Sequence, residues 1–211
     1  MTESSDTFST IAGPSEGIYR EKMSRFLAFA FPVASAVEAK DYISQFQKKY
    51  YDARHVCWAY MIGAARSEYQ SNDNGEPSGT AGKPILGQIN SLGLTNVVVI
   101  VVRYFGGIKL GTSGLIVAYR EAAREALTAA TIIECHETAD IAFIFPYLAM
   151  NDVMRLTKDD ELQVMERIFD NSCSMTVRIR RDHAPALRRA LMDIDGVTLC
   201  ASNNDSSDGD Q

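Results

Sequence analysis

Apolar and polar positions along the chain alternate in two different rhythms, and the alternation restarts about two thirds of the way along. Ile18 to Phe31 begins with strand-like alternation, ends in an apolar run and is closed by Pro32. Ala34 to Tyr50 has helical spacing, with Val37, Tyr42, Ile43 and Phe46 near one face and Glu38, Lys40, Lys48 and Lys49 elsewhere. Ala53 to Ile62 is predicted to be a strand that turns Val56, Trp58 and Tyr60 one way and His55, Cys57 and Ala59 the other. Gly63 to Gly79 is polar and is predicted to be a loop.

Two helix starts beside glycine turns follow. Pro84 suits a first turn, in a helix running to about Ser91 with Gly93 as its stop. The second start is Gly111-Thr112-Ser113-Gly114, with Thr112 or Ser113 as N-cap and Leu115 to Ala130 as the helix. Asn96 to Tyr104 lies between them, and its run Val97 to Val102 has the length and β-branching of a buried strand.

After Glu137 the order is strand (Asp140 to Phe145), helix (Leu148 to Lys158) and strand (Gln163 to Phe169). A turn at Asn171-Ser172 leads to strand Ser174 to Arg180, a helix from Pro185 to about Ile194, and strand Val197 to Cys200. β-α-β-β-α-β in so short a span is the split, ferredoxin-like arrangement. The expectation is a two-domain α+β protein, with domains at 1–137 and 138–200 and a disordered acidic tail at 201–211. Met1 to Thr7 is also expected to be loose, being polar and small.

Composition narrows this picture. A chain of 211 residues with 46% hydrophobic and 23% charged residues is an ordinary folded protein. A formal net charge of -6 argues against a strongly basic nucleic-acid coat, though Asp205, Asp208 and Asp210 sit in the tail and leave room for a local basic patch. No apolar run reaches membrane-span length, and the N-terminus lacks a basic-then-apolar leader, so no membrane partner and a cytoplasmic location are expected. Cys57, Cys135, Cys173 and Cys200 form no C-x-x-C pair and have no His at zinc-ligand spacing. They are expected to be reduced, mostly buried thiols.

Chemistry concentrates at the glycine turns. Gly106-Gly107 after an apolar strand means a sharp turn or a close approach. Gly111 then leads into a helix N-terminus, where N–H groups and the dipole favour an anion. Arg103 and Lys109 flank this turn, a plausible phosphate or carboxylate site. The loop Glu76-Pro77-Ser78-Gly79-Thr80-Ala81-Gly82-Lys83-Pro84 invites a P-loop reading and fails it, with Pro77 where glycine is required and Pro84 where Ser or Thr is required. Asn72 to Glu76 lacks EF-hand spacing, so no metal and no cofactor are expected. His55 and Cys57 share a strand face, two residues apart, too far for direct proton transfer. Thr176, Arg178 and Arg180 share a face near Arg181, Arg188 and Arg189, either a solvated face or an RNA platform; the aromatic stacking pair of an RNA-recognition motif is absent.

Asp52-Ala53-Arg54-His55, Asn74-Gly75-Glu76-Pro77-Ser78-Gly79-Thr80-Ala81-Gly82 and Val101-Val102-Arg103-Tyr104-Phe105-Gly106-Gly107-Ile108-Lys109-Leu110-Gly111 together resemble the IMPACT/YigZ family over roughly Gly17 to Ala130. The resemblance implies a ribosomal-protein-type α+β first domain, like domain IV of elongation factor G, and a second domain like its domain V. Eukaryotic relatives regulate translation by binding an activator of a stress kinase through a separate N-terminal domain. The chain has no room for that domain, so that partner does not carry over. Nucleic-acid or ribosome association is the usual suggestion for bacterial members, and no catalytic residues carry over.

Three functions stay open. One is RNA or ribosome contact in translation regulation through Arg54, His55, Lys83, Arg103, Tyr104, Lys109, Arg178 and Arg180, without DNA sequence specificity. The second is a small-molecule enzyme or sensor cradling an anion with Glu76, Ser78, Gly79, Thr80, Gly82, Gly106, Gly107 and Gly111. The third is a protein-interaction scaffold, whose partner could belong to the translation machinery.

Overall fold

The structure is a computed structural model and describes residues 6–158, 162–170 and 172–200. The expected acidic tail, the expected looseness of residues 1–5 and Asn171 of the expected turn lie outside the described residues. Two compact units emerge, Met1–Cys135 and His136–Gln211.

In the first unit, strands β2 (Ser15–Glu21), β3 (Ser24–Pro32), β4 (His55–Ile62), β5 (Glu68–Asn72) and β6 (Val97–Tyr104) form one sheet in the order β2-β3-β6-β4-β5. Every neighbouring pair is antiparallel. Helix α1 (Ala36–Lys49) covers one face, and α2 (Gly82–Ser91) and α3 (Gly111–Ala129) cover the other. This layering explains the unbroken apolar run of β6. Val97, Val99 and Val101 pack with α2 and α3, while Val98, Ile100 and Val102 pack with α1. Full burial of one valine contributes roughly 1.5–3 kcal/mol, so a strand covered on both faces gains at every position. The expected faces of β4 hold: Val56, Trp58 and Tyr60 face α1, and Cys57 and Ala59 face α2 and α3.

Several elements differ from the sequence reading. The segment Ile18 to Phe31, read as strand-like alternation ending in an apolar run, is split between the two strands of a hairpin that turns at Lys22 and Met23, whose φ angles of 45° and 66° suit a type I′ turn. The polar stretch Gly63 to Gly79 contains β5, an edge strand with no apolar face to announce it. Thr7, expected to be loose, opens β1 (Thr7–Ile11), which pairs with β7 (Ile132–His136). Ile11 at the far end of β1 is buried in the core. Finally, Val37 is exposed, so the buried face of α1 is Ala39, Ile43 and Phe46.

The second unit holds β8 (Thr138–Phe145), α4 (Met150–Leu156), β9 (Gln163–Phe169), β10 (Cys173–Arg180), α5 (Ala184–Met192) and β11 (Thr198–Leu199). Its sheet order β11-β8-β10-β9, with antiparallel neighbours, is that of the split βαβ arrangement. β10 alternates strictly: Met175, Val177 and Ile179 enter the core, and Thr176, Arg178 and Arg180 stay on the other face. Pro185 sits in the first turn of α5, as expected. Among the described residues no helix is long and apolar enough to cross a membrane.

Candidate functional site

The three motif segments converge on one cavity of about 370 Å³ in the first unit. Arg54 and His55 reach it from the start of β4, and Glu76 and Pro77 from the loop ahead of α2. Arg103, Phe105, Lys109 and Leu110 come from the end of β6 and the turn after it, and Gly111, Thr112 and Leu115 from the first turns of α3.

Strand geometry assembles the floor. His55 and Phe26 both pair with Arg103 across the sheet, so all three share the face toward α3. Arg103 Nη1 donates to Glu76 Oε1 at 2.6 Å, and the Tyr119 hydroxyl of α3 donates to the same oxygen at 2.8 Å. The Arg103 and Glu76 side chains are only 8% and 3% exposed. The Arg103 guanidinium also lies 5.6 Å from the ring centroids of Phe26 and Phe105. An enclosed ion pair contributes little net, but removing one partner strands a charge at a cost of about 3–5 kcal/mol. Burial foremost, then Cys57 and Glu76, holds the Tyr119 phenol above its ordinary range, so it stays a donor.

Cys57 and His55 do not pair with each other. The Cys57 thiol donates to the Asp73 carbonyl at 3.0 Å, with the Tyr119 oxygen 3.3 Å away. Burial pushes that thiol up to about 12, which leaves it unreactive at neutral pH. His55 Nδ1 lies 2.9 Å from the Asn74 carbonyl, an acceptor only, so Nδ1 carries a proton and Nε2 holds the lone pair of the neutral ring.

The two helix N-termini part company. At α2 the Asp73 carboxylate accepts from the backbone N–H groups of Gly79, Ala81 and Gly82 at 2.7–2.9 Å. Burial would raise the Asp73 carboxyl, but these donors and Lys83 outweigh it and hold it below the ordinary carboxylate value. The anion expected at Gly79, Thr80 and Gly82 is therefore the chain's own, a correction to the cradle reading. Thr80 is buried and its hydroxyl donates to the Pro77 carbonyl, while Ser78 is exposed. Glu76 belongs to the same correction: it is an enclosed anion with its own cation.

At α3 the expected caps fail. Leu110 is the N-cap, Thr112 and Ser113 lie inside the first turn, and no side-chain cap or acidic first-turn residue is present. Its first N–H groups therefore lie open beside the cavity. Gly111 makes the entry possible with a φ of 72°, which a larger side chain would resist. Gly106 is structural too, since a Cβ there would overlap the Met23–Ser24 backbone. Gly106 and Gly107 do not line the cavity, and neither do Lys83 and Tyr104. Tyr104 follows Arg103 on β6 and points to the opposite face, where its hydroxyl donates to Asp52 and Arg25 lies over its ring.

In the second unit the expected basic platform is largely neutralised. Arg178 forms a two-pronged pair with Asp140, its partner across β8, at 2.7 and 2.8 Å. This fork holds the Asp140 carboxyl below its ordinary value. Arg180 pairs with Asp182 and Arg181 with Glu137. The cysteines are all free thiols: Cys57 and Cys173 are buried as expected, Cys135 is half-buried and Cys200 is exposed. No cluster of potential metal ligands occurs among the described residues.

Sequence reading missed Asp73 and Tyr119. Asp73 carries a weak signal, an acidic residue shortly before a glycine-rich helix start. Tyr119 repeats the helical spacing of Leu115, Ala122 and Ala126, all of which are buried.

Comparison with known proteins extends the match between the motifs. Residues 22–127 match the Impact N-terminal domain. The chain is 39% identical to the IMPACT family member YvyE of Bacillus subtilis over 127 residues, 57% of this chain and 58% of that one. It is 38% identical to an IMPACT family member of Thermus thermophilus over 156 residues, 74% of this chain and 84% of the relative. The crystal structure of a hypothetical protein superposes with a TM-score of 0.72 at 26% identity, covering 94% of this chain and 98% of the other. With its domain match, its relatives and the motif residues gathered at one cleft, the chain belongs to the IMPACT family.

Proposed function

We propose that this protein binds RNA at the translation machinery, holding the ribose-phosphate chain on the cleft of its first unit. The observation that carries the reading is the pairing of an open helix N-terminus with exposed cations and an exposed aromatic ring. Arg54 and Lys109 are exposed at the cavity and enter no ion pair among the described residues. Phe105 is 47% exposed beside them and offers a face for a base. Phosphate contacts supply affinity through counterion release, and a local patch does this even on an acidic chain. Arg103 serves the site from beneath, as an enclosed positive charge that Glu76 holds in place. The pairing of Arg178 with Asp140 favours the first unit over the second as the RNA surface.

The test is co-sedimentation with ribosomal subunits and titration with single- and double-stranded RNA across a salt series. Arg54→Ala combined with Lys109→Ala should flatten the dependence of log affinity on log salt by about 1.4 for single strands, two phosphate contacts' worth. No binding at low salt, or a double variant with unchanged salt dependence, overturns the reading.

A further inference from the structure

We infer that the cleft is a terminal-phosphate site: it takes the phosphomonoester at the end of an RNA chain. The inference rests on the RNA reading above and adds which part of the RNA enters. Arg103 lines the cavity, is more than nine-tenths buried, and its Nε is enclosed without a partner among the described residues. Nη1 is already committed to Glu76. A buried donor of this kind costs about 1–3 kcal/mol until an acceptor meets it. The atom is closed off as the structure stands, so an acceptor oxygen entering the cavity that Arg103 lines meets it only when the side chains around Arg103 shift.

Size and charge select the ligand. A phosphate in mid-chain carries a ribose on each side, so it lies across a cleft of about 370 Å³ rather than entering it end-on. A terminal phosphate enters alone and trails a single nucleoside. It also brings a charge of about -1.5 to -2 at neutral pH, against -1 for a phosphodiester. The cavity suits the larger charge. Lys109 and Arg54 stand at it, the open N–H groups of α3 lie along it, and its one carboxylate, Glu76, is neutralised by Arg103. Leu110, Leu115 and Phe105 supply an apolar wall for the sugar and base of the end nucleotide.

The test uses the full chain and one short single-stranded RNA sequence made with a 5′-phosphate, with a 3′-phosphate, or with hydroxyls at both ends. Binding is read by fluorescence anisotropy, with inorganic phosphate and a nucleoside monophosphate as competitors. An end phosphate at one terminus should tighten binding about tenfold, the gain of one well-placed charge-assisted contact set. Thr112→Asp places a carboxylate in the first turn of α3, at the cavity, where it suits the helix and repels a phosphate. That variant should fold at least as stably as the parent and lose the preference to within about twofold, since the site then carries its own anion. Equal affinity for all three RNAs, or an undiminished preference in Thr112→Asp, overturns the proposal while RNA binding itself stands. Mononucleotide binding that Thr112→Asp abolishes, without binding of longer RNA or ribosomes, supports the phosphate site and overturns the RNA reading. Failure of every probe overturns both.

Discussion

Helices α2 and α3 both begin at glycine-flanked turns on the same side of the first unit's sheet, and their N-termini have opposite fates. The α2 turn is closed by the chain's own Asp73, bonded to three backbone donors, Gly79, Ala81 and Gly82. The α3 turn has no such anion and opens on the cavity. The glycines are therefore not the functional signal. What matters is whether a carboxylate elsewhere in the chain is folded back onto the exposed N–H groups. One end stabilises the protein, and the other is left to meet a ligand.

The contrast can be broken at several points. The largest effect is expected at Arg103→Ala, which leaves Glu76 enclosed without its cation. It should cost about 3–5 kcal/mol in urea unfolding, and a much smaller loss would mean that Glu76 does not remain charged. Binding data on this variant must be read beside its stability, so Arg54 and Lys109 are the better probes of contact. Next comes Asp73→Ala, expected to destabilise by about 1–3 kcal/mol because three donors lose their acceptor. The sign of its pH dependence follows from the lowered carboxyl. Asp73 contributes fully above the ordinary aspartate range near pH 4, and its contribution falls away as pH drops through the folded value. Acid unfolding of Asp73→Ala should therefore be shallower than that of the parent over that window. The smallest effect is at Thr112→Asp, which gives α3 the anion that α2 already has. A gain of about 0.3–1 kcal/mol in thermal unfolding is expected, and a loss would show that the α3 terminus is not open.

Much of the fold was legible in the residues. The run Val97 to Val102 announced a buried strand, and the alternation of β4 and β10 placed their faces correctly. Elements without an apolar signature escaped, as β5 and β1 show. An edge strand is held by one neighbour's backbone and needs no hydrophobic face. The candidate site was legible in part. The motif segments do meet, but side-chain alternation sends Tyr104 away from Arg103. Arg178 looked available because its pairing partner, Asp140, is 38 residues away in sequence.

By itself, the sequence determined the faces of β4 and β10, the strand and helix order of the second unit, and the membership of the chain in its family. The faces and the element order follow from local spacing, because hydrophobic burial is read residue by residue along an element, whereas the family follows from the identity of the motif residues. Only the tertiary structure decided which charges are spent internally. Glu76 finds Arg103 across 27 residues, and Asp73 rather than a bound anion fills the start of α2. Electrostatic pairing acts through space with no periodicity in sequence. The open N-terminus of α3, the feature on which the proposed function rests, is visible only once every nearby carboxylate has been placed.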